Sequence, residues 1–187
     1  MGGGAGVVVR RVRADEWRQV RALRVEAVSD PDAGVAFLST REEELARDDA
    51  FWRDRAATAG SADWVAQFVA SSSDGLVGSA TVIIWDVGAT DHLGQVVEER
   101  RADVLGVYLR PSLRGTGTID ALLDAAASWA ASRGLAALTL DVHVDNLRAQ
   151  AAYRRCGFAP TGVEFTSSIG PELQMRRVLA ESARNGS

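Results

Sequence analysis

The 187 residues carry 21 basic and 25 acidic side chains, a formal charge of −4, 47% apolar residues and a single cysteine, Cys156. That length suits one domain with a core of its own, and the ordinary charge content argues against wholesale disorder. One thiol excludes an intramolecular disulfide framework; two histidines, His92 and His143, are too few for a histidine-based cluster, so no metal is expected.

The acidic balance disfavours a nucleic-acid backbone as partner and suits an amine-bearing small molecule or peptide better. Every basic residue is arginine. No apolar run approaches the ~20 residues that cross a bilayer, so no membrane association is expected. Residues 1–6 lack the basic and apolar regions of a signal peptide and read as a flexible tail. The chain is therefore expected to be cytoplasmic, with one domain over 7–179 and a second flexible tail over 180–187.

Strand-like and helix-like periods alternate, the pattern of a mixed α/β domain. Val7 to Val12 reads as a first strand, and Asp15 can cap a helix in which Trp17, Val20, Leu23 and Val28 share a face. Thr40 and Glu43 have capping-box spacing and open a second helix running to about Arg55. Trp64–Ala70 and Leu76–Trp85 form a hairpin across Ser71–Gly75, and the polar stretch 86–101 is a loop. Asp103–Leu109 is a strand stopped by Pro111. Ile119, Leu122, Leu123, Ala126 and Trp129 mark a helix ended by Gly134. Leu138–Val144 is a strand, Asn146–Cys156 a short helix, and Phe158–Val163 and Leu173–Leu179 are closing strands.

The segment Arg114-Gly115-Thr116-Gly117-Thr118-Ile119-Asp120 leads from a strand into an amphipathic helix. Two glycines at such a junction let backbone N–H groups converge, and the helix N-terminus adds partial positive charge, a combination suited to a phosphate or pyrophosphate. A tight turn is the plain alternative. It is not a Walker A loop, which needs the lysine this chain lacks. Downstream, Asn146 can cap a helix on which Tyr153 lies seven residues on, nearly the same face two turns away. Taken singly, each also has a structural reading, as a plain cap and as a core-edge aromatic.

Jointly these segments resemble the GCN5-related N-acetyltransferase (GNAT) superfamily. The loop pattern Gln/Arg-x-x-Gly-x-Gly/Ala is met by Arg114 and Gly117, then Ile119; Asn-x-x-Ala-x-x-x-Tyr-x-x-x-Gly-Phe is met by Asn146, Ala149, Tyr153, Gly157 and Phe158. The resemblance implies a mixed, mostly antiparallel central sheet of six to seven strands, about four flanking helices and a splay between two central strands. It implies acetyl transfer from acetyl-coenzyme A to an amine, and a homodimer is common among such enzymes.

Site residues follow from the same resemblance. The backbone of Val107, Tyr108 and Leu109 would meet the pantetheine arm. The amides of Gly115, Thr116, Gly117, Thr118, Ile119 and Asp120 would hold the pyrophosphate with Arg114, and Asn146 would contact the cofactor beyond the splay. Gly106 would mark a bulge that opens it. Tyr153 would donate toward the sulfur. Asp103 is the first choice of base, or else a surface carboxylate paired with Arg100 or Arg101; Asp141, Glu98 and Glu99 are weaker choices. Ile119 and Asp120 depart from the family pattern, and Asp120 is expected to face solvent. A coenzyme A-binding module without catalysis is the competing reading. Cys156 is expected to be an inert thiol. Phe37 and Glu42–Glu44 are expected to border the acceptor.

Overall fold

Alternation along β2 (Val65–Ser72) sets the layering: Ala66, Phe68 and Ala70 face one side of the sheet, Val65, Gln67 and Val69 the other. The computed structural model describes residues 6–179. In chain order the remaining elements are β1 (Val8–Arg11), α1 (Trp17–Ala27), α2 (Arg41–Ala46), α3 (Asp49–Ser61), β3 (Gly75–Trp85), β4 (Arg101–Leu109), α4 (Thr118–Ser132), β5 (Ala137–His143), α5 (Leu147–Arg155), β6 (Ala159–Ser167) and β7 (Gly170–Val178). Apart from Gly6, the two expected tails lie outside the described residues.

The seven strands form one sheet in the order β1-β2-β3-β4-β5-β7-β6, antiparallel throughout except for β4 beside β5. One face is covered by α4 and α5, whose Leu122, Leu123, Ala126 and Tyr153 pack with Leu138, Leu140 and Met175. The opposite face is covered by α1 and α3, where Trp17, Val20, Leu23, Trp52 and Ala56 close over Val65, Val69 and Tyr108. Leu122, Leu123 and Trp52 are wholly buried, so each contributes about 2–3 kcal/mol of transfer free energy.

Two features differ from the sequence expectation. The single helix expected from Thr40 to Arg55 is two. The Thr40–Glu43 capping box does start α2, but Arg47 is extended and Asp48 begins a new helix by accepting from the Phe51 amide at 2.8 Å. The last hairpin also runs further toward its turn than expected, to Ser167 and back from Gly170.

The sheet is interrupted where the site lies. β4 and β5 share a single residue pair, Asp103 with Thr139, and then separate. Just beyond that pair the β3–β4 register shifts, with Thr81 opposite Leu105 and Ser79 opposite Tyr108, so β4 holds one extra residue there. Gly106, at φ +61°, sits in this bulge and supplies the left-handed backbone it requires.

Candidate active site

A cleft of about 900 Å³ follows the separation of β4 from β5 and reaches α1, α3 and α5. Its first wall is β4 from Val104 to Leu109, including Val107, Tyr108 and Leu109. Tyr108 turns its side chain into the core beside Phe37, with ring centroids 6.5 Å apart, and its hydroxyl donates to Glu26 at 3.3 Å. Burial, then Glu26 and Asp30, push the Tyr108 phenol up to about 12, so it stays neutral.

The glycine loop forms one end. Gly115 and Gly117 have φ of +80° and +83°, and nothing lies within 4 Å of the place a Cβ would occupy on either. Their backbone is therefore open to an incoming anion at the N-terminus of the 15-residue α4. The hydroxyls of Thr116 and Thr118 point away from the cleft: they contact each other at 2.8 Å, and Thr116 also donates to the Leu113 carbonyl. Ile119 packs against the core from the cleft wall. Gly115, Gly117, Ile119 and Asp120 line the cleft while Thr116 and Thr118 do not, so the open backbone of the two glycines is what fits a diphosphate.

Asp120 does not face solvent as expected. It turns toward α5 and accepts from the Cys156 thiol at 2.9 Å, a contact between side chains 36 residues apart. Burial and then Asp120 push the Cys156 thiol up to about 12, which keeps it protonated and unreactive. Arg114 faces the cleft, but its guanidinium donates to Asp30 at 2.8 Å. Arg148, on α5, pairs in the same way with Asp32 at 2.7 Å. The connection between α1 and α2 thus reaches both walls, and its Val35 carbonyl also accepts from the Asn146 amide at 3.3 Å.

Asn146 caps α5 by accepting from the Ala149 amide at 3.1 Å. It is buried at the cleft, so cap and cleft residue are the same side chain. Two turns on, Tyr153 is buried against Phe158 and lines the cleft, and its hydroxyl makes no hydrogen bond to any described residue. Burial raises the Tyr153 phenol well above its ordinary value.

Asp103 pairs with Arg101 as in the second of its two readings, but not at the surface. It is buried, accepts from Arg101 at 3.1 Å and from the Thr139 hydroxyl, and does not line the cleft. Arg101 is shared with Asp91, so the carboxylate is held in a structural network. Glu98 and Glu99 also lie off the cleft. Asp141, one of the weaker choices, does line it, 3.6 Å from His92, which the sequence reading passed over. His92 Nδ1 and Asp141 Oδ1 are buried without a partner. Burial alone would lower the His92 pKa, but Asp141, Asp103 and Asp91 together raise it above the usual 6.5. His92 also stacks on Trp85, centroids 6.3 Å apart, which fixes its ring. Phe37 reaches the cleft as expected; Glu44 instead lies beneath it, holding Arg24 and Arg47, and Glu42 and Glu43 are exposed.

Among the described residues no cluster of three or more His, Cys, Asp or Glu side chains is arranged to hold a metal ion, and no helix is long and apolar enough to cross a membrane.

Residues 27–158 match the family model of the acetyltransferase (GNAT) family. The chain belongs to the GNAT acetyltransferase family. Among curated proteins it is similar to an aminoglycoside N(6')-acetyltransferase type 1 from Stenotrophomonas maltophilia, 39% identical over 56 residues, or 30% of this chain and 37% of that protein. The match thus spans little more than a third of the relative's length. Among solved structures the GNAT fold is shared with a phosphinothricin acetyltransferase from Sinorhizobium meliloti in complex with acetyl-coenzyme A, at 20% identity, TM-score 0.70 and coverage of 96% of this chain and 92% of that one. It is also shared with the PaiA N-acetyltransferase from Thermoplasma acidophilum in complex with coenzyme A, at 17% identity, TM-score 0.66 and coverage of 92% and 99%.

Proposed function

We propose that the protein transfers an acetyl group from acetyl-coenzyme A to a primary amine of a small molecule or peptide, by direct attack within a ternary complex. The observation that carries this reading is the free hydroxyl of Tyr153, on the cleft wall two helical turns from Asn146. Acetyl-coenzyme A supplies an activated acyl group and a thiolate leaving group. The backbone of Val107, Tyr108 and Leu109 would bind its pantetheine arm, and the amides from Gly115 to Asp120, with Arg114, its diphosphate.

The amine nitrogen attacks the thioester carbonyl; its bond to carbon forms as the carbon–sulfur bond breaks. An amine of pKa about 10.4 is neutral in only about one molecule in 2,500 at pH 7, so a proton acceptor matters. His92, oriented by Asp141, takes the proton directly or through a water; Asp103 serves the site by fixing the β4–β5 junction. Backbone N–H groups near Val107 polarise the carbonyl oxygen. Tyr153 donates a hydrogen bond to the developing thiolate. Full transfer from a phenol to a thiolate is uphill by at least about 1.5 pKa units, and burial adds to that, so the final proton comes from solvent.

The pairing of Arg114 and Arg148 with Asp30 and Asp32 favours a second reading, a coenzyme A-binding module with little turnover, because both cations are already neutralised. Calorimetry with acetyl-coenzyme A, followed by coenzyme A release against an amine panel, separates the two. Binding with no turnover on any amine supports the second. We also infer a cytoplasmic enzyme and a homodimer, the latter tested by light scattering.

A further inference from the structure

We propose that the acceptor end of the cleft contains a carboxylate subsite built from Arg55, Gln67 and Thr81, so that the acceptor is an amine that also bears a carboxylate. This rests on the acyl-transfer reading above and narrows its acceptor.

Arg55 projects from α3 and lines the cleft, yet it forms no ion pair or hydrogen bond with any described residue. Its neighbours explain why. Arg24 and Arg47 both contact Glu44, at 2.9 and 3.0 Å, and the Ser39 hydroxyl accepts from Arg24 and donates to Glu44, so the local carboxylate is used twice over. Arg55 is left as a third cation beside one anion. Burial, then repulsion from Arg24, lowers its pKa, and Glu44 only partly offsets this. Asp54, the adjacent residue, is exposed at the rim and lies about 100° round the helix.

A second observation comes from the opposite wall. Gln67 on β2 is only 6% exposed, lines the cleft, and leaves its Oε1 without a partner. An unpaired buried amide costs about 1–3 kcal/mol unless something fills the site. Its oxygen and nitrogen ends exchange by a half-turn of the amide, so Gln67 can present N–H as readily. Thr81, its register partner on β3, is buried beside it with its side chain on the same face. A guanidinium fork, an amide and a hydroxyl match the two oxygens of a carboxylate.

Two strands across the sheet from Thr81, the same cleft carries the opposite sign. Asp141 and Glu172 line it with His92 and His143 and would receive an ammonium or amine. Phe37, Trp64 and Ile83 add apolar surface to the lining of the same cleft. Such polarity suits a zwitterion and opposes a polycation, which would bring positive charge against Arg55.

The test is equilibrium binding by calorimetry, which needs no turnover, with linear amino-carboxylates from glycine through γ-aminobutyrate to ε-aminocaproate. Each is compared with the alkylamine lacking its carboxylate. At least one amino-carboxylate should bind about 10- to 100-fold tighter than its alkylamine, the range for one charge-assisted contact. Arg55→Gln should remove that preference and Arg55→Lys keep part of it. Because the guanidinium has no ion pair or hydrogen bond with any described residue, Arg55→Met should also unfold at a higher temperature than the parent. Equal binding of all pairs, tighter binding of the alkylamines or of spermidine, or a preference that survives Arg55→Gln would overturn the subsite. Coenzyme A release, run in parallel, tests the acyl-transfer reading separately: binding through Arg55 without any release would reject transfer and leave the subsite standing.

Discussion

Arg114 and Asp30 form an ion pair at 2.8 Å in which the carboxylate is almost wholly buried, joining the mouth of the glycine loop to the segment after α1. A diphosphate and Asp30 therefore compete for one guanidinium. Asp30→Asn should tighten coenzyme A binding several-fold by calorimetry while lowering stability by about 1–3 kcal/mol. Burial pushes the Asp30 pKa up, but the Asp32 amide and Arg114 more than offset it, and the net shift is downward. Its stabilising effect is thus present above the unfolded pKa and lost as the pH falls through the folded one. The variant's deficit in melting temperature should shrink in acid.

Tyr153→Phe should lower kcat about tenfold to hundredfold with little change in the KM for acetyl-coenzyme A, because it removes one donor and no volume. As burial raises the phenol's pKa, the parent should show no alkaline loss of rate from this group near pH 10. A KM effect without a kcat effect in steady-state assays would assign Tyr153 to binding alone.

The His92–Asp141 pair predicts an acid limb in kcat/KM. His92 must be neutral to accept a proton, and its pKa is raised, so the rate should climb through a value above the ordinary 6.5. Asp141→Asn should move that limb to lower pH, since it removes the nearest carboxylate. For stability the sign is opposite: the His92 contribution is complete below the unfolded pKa and is lost as the pH rises through the folded one. His92→Gln should cost about a hundredfold with a lysine-like amine and much less with an α-amine, which is partly neutral at pH 7. A pH–rate profile on both substrates checks this.

Gly117→Ala should act on the backbone alone. At φ +83° any other residue is strained, while the space around its Cβ is free, so the cost is about 1 kcal/mol in thermal unfolding. The larger effect should be on coenzyme A affinity, because the loop amides would no longer converge.

The features legible in the sequence were those encoded locally. The apolar face of α4, the glycines before it and the seven-residue step from Asn146 to Tyr153 all arise within one element or one turn, where period and backbone preference decide the outcome. Gly106 was legible for the same reason, as a glycine inside a strand pattern. The fate of Asp103 was not, since Thr139 and Arg101 reach it through the sheet and neither outcome alters the local pattern. Asp120 was misjudged because Cys156 lies 36 residues away on another helix. His92 hides in a polar loop with no periodicity. Arg55 looks like one more surface cation on α3 until the helix is docked over Gln67. The break at Arg47–Asp48 carried a signal, a capping Asp48, that the continuous charge pattern of 41–55 obscured.

Every cation in the ion pairs that link the walls of this cleft is a guanidinium or an imidazole. With no lysine in the 187 residues, these bonds contain no side-chain ammonium that could be turned into an uncharged amide. Guanidinium keeps its proton through the whole physiological range and is a poor nucleophile toward thioesters. The fold's electrostatic clasps are therefore inert toward the acyl donor they surround, and prolonged exposure to it should leave the charge pattern of the fold unmodified.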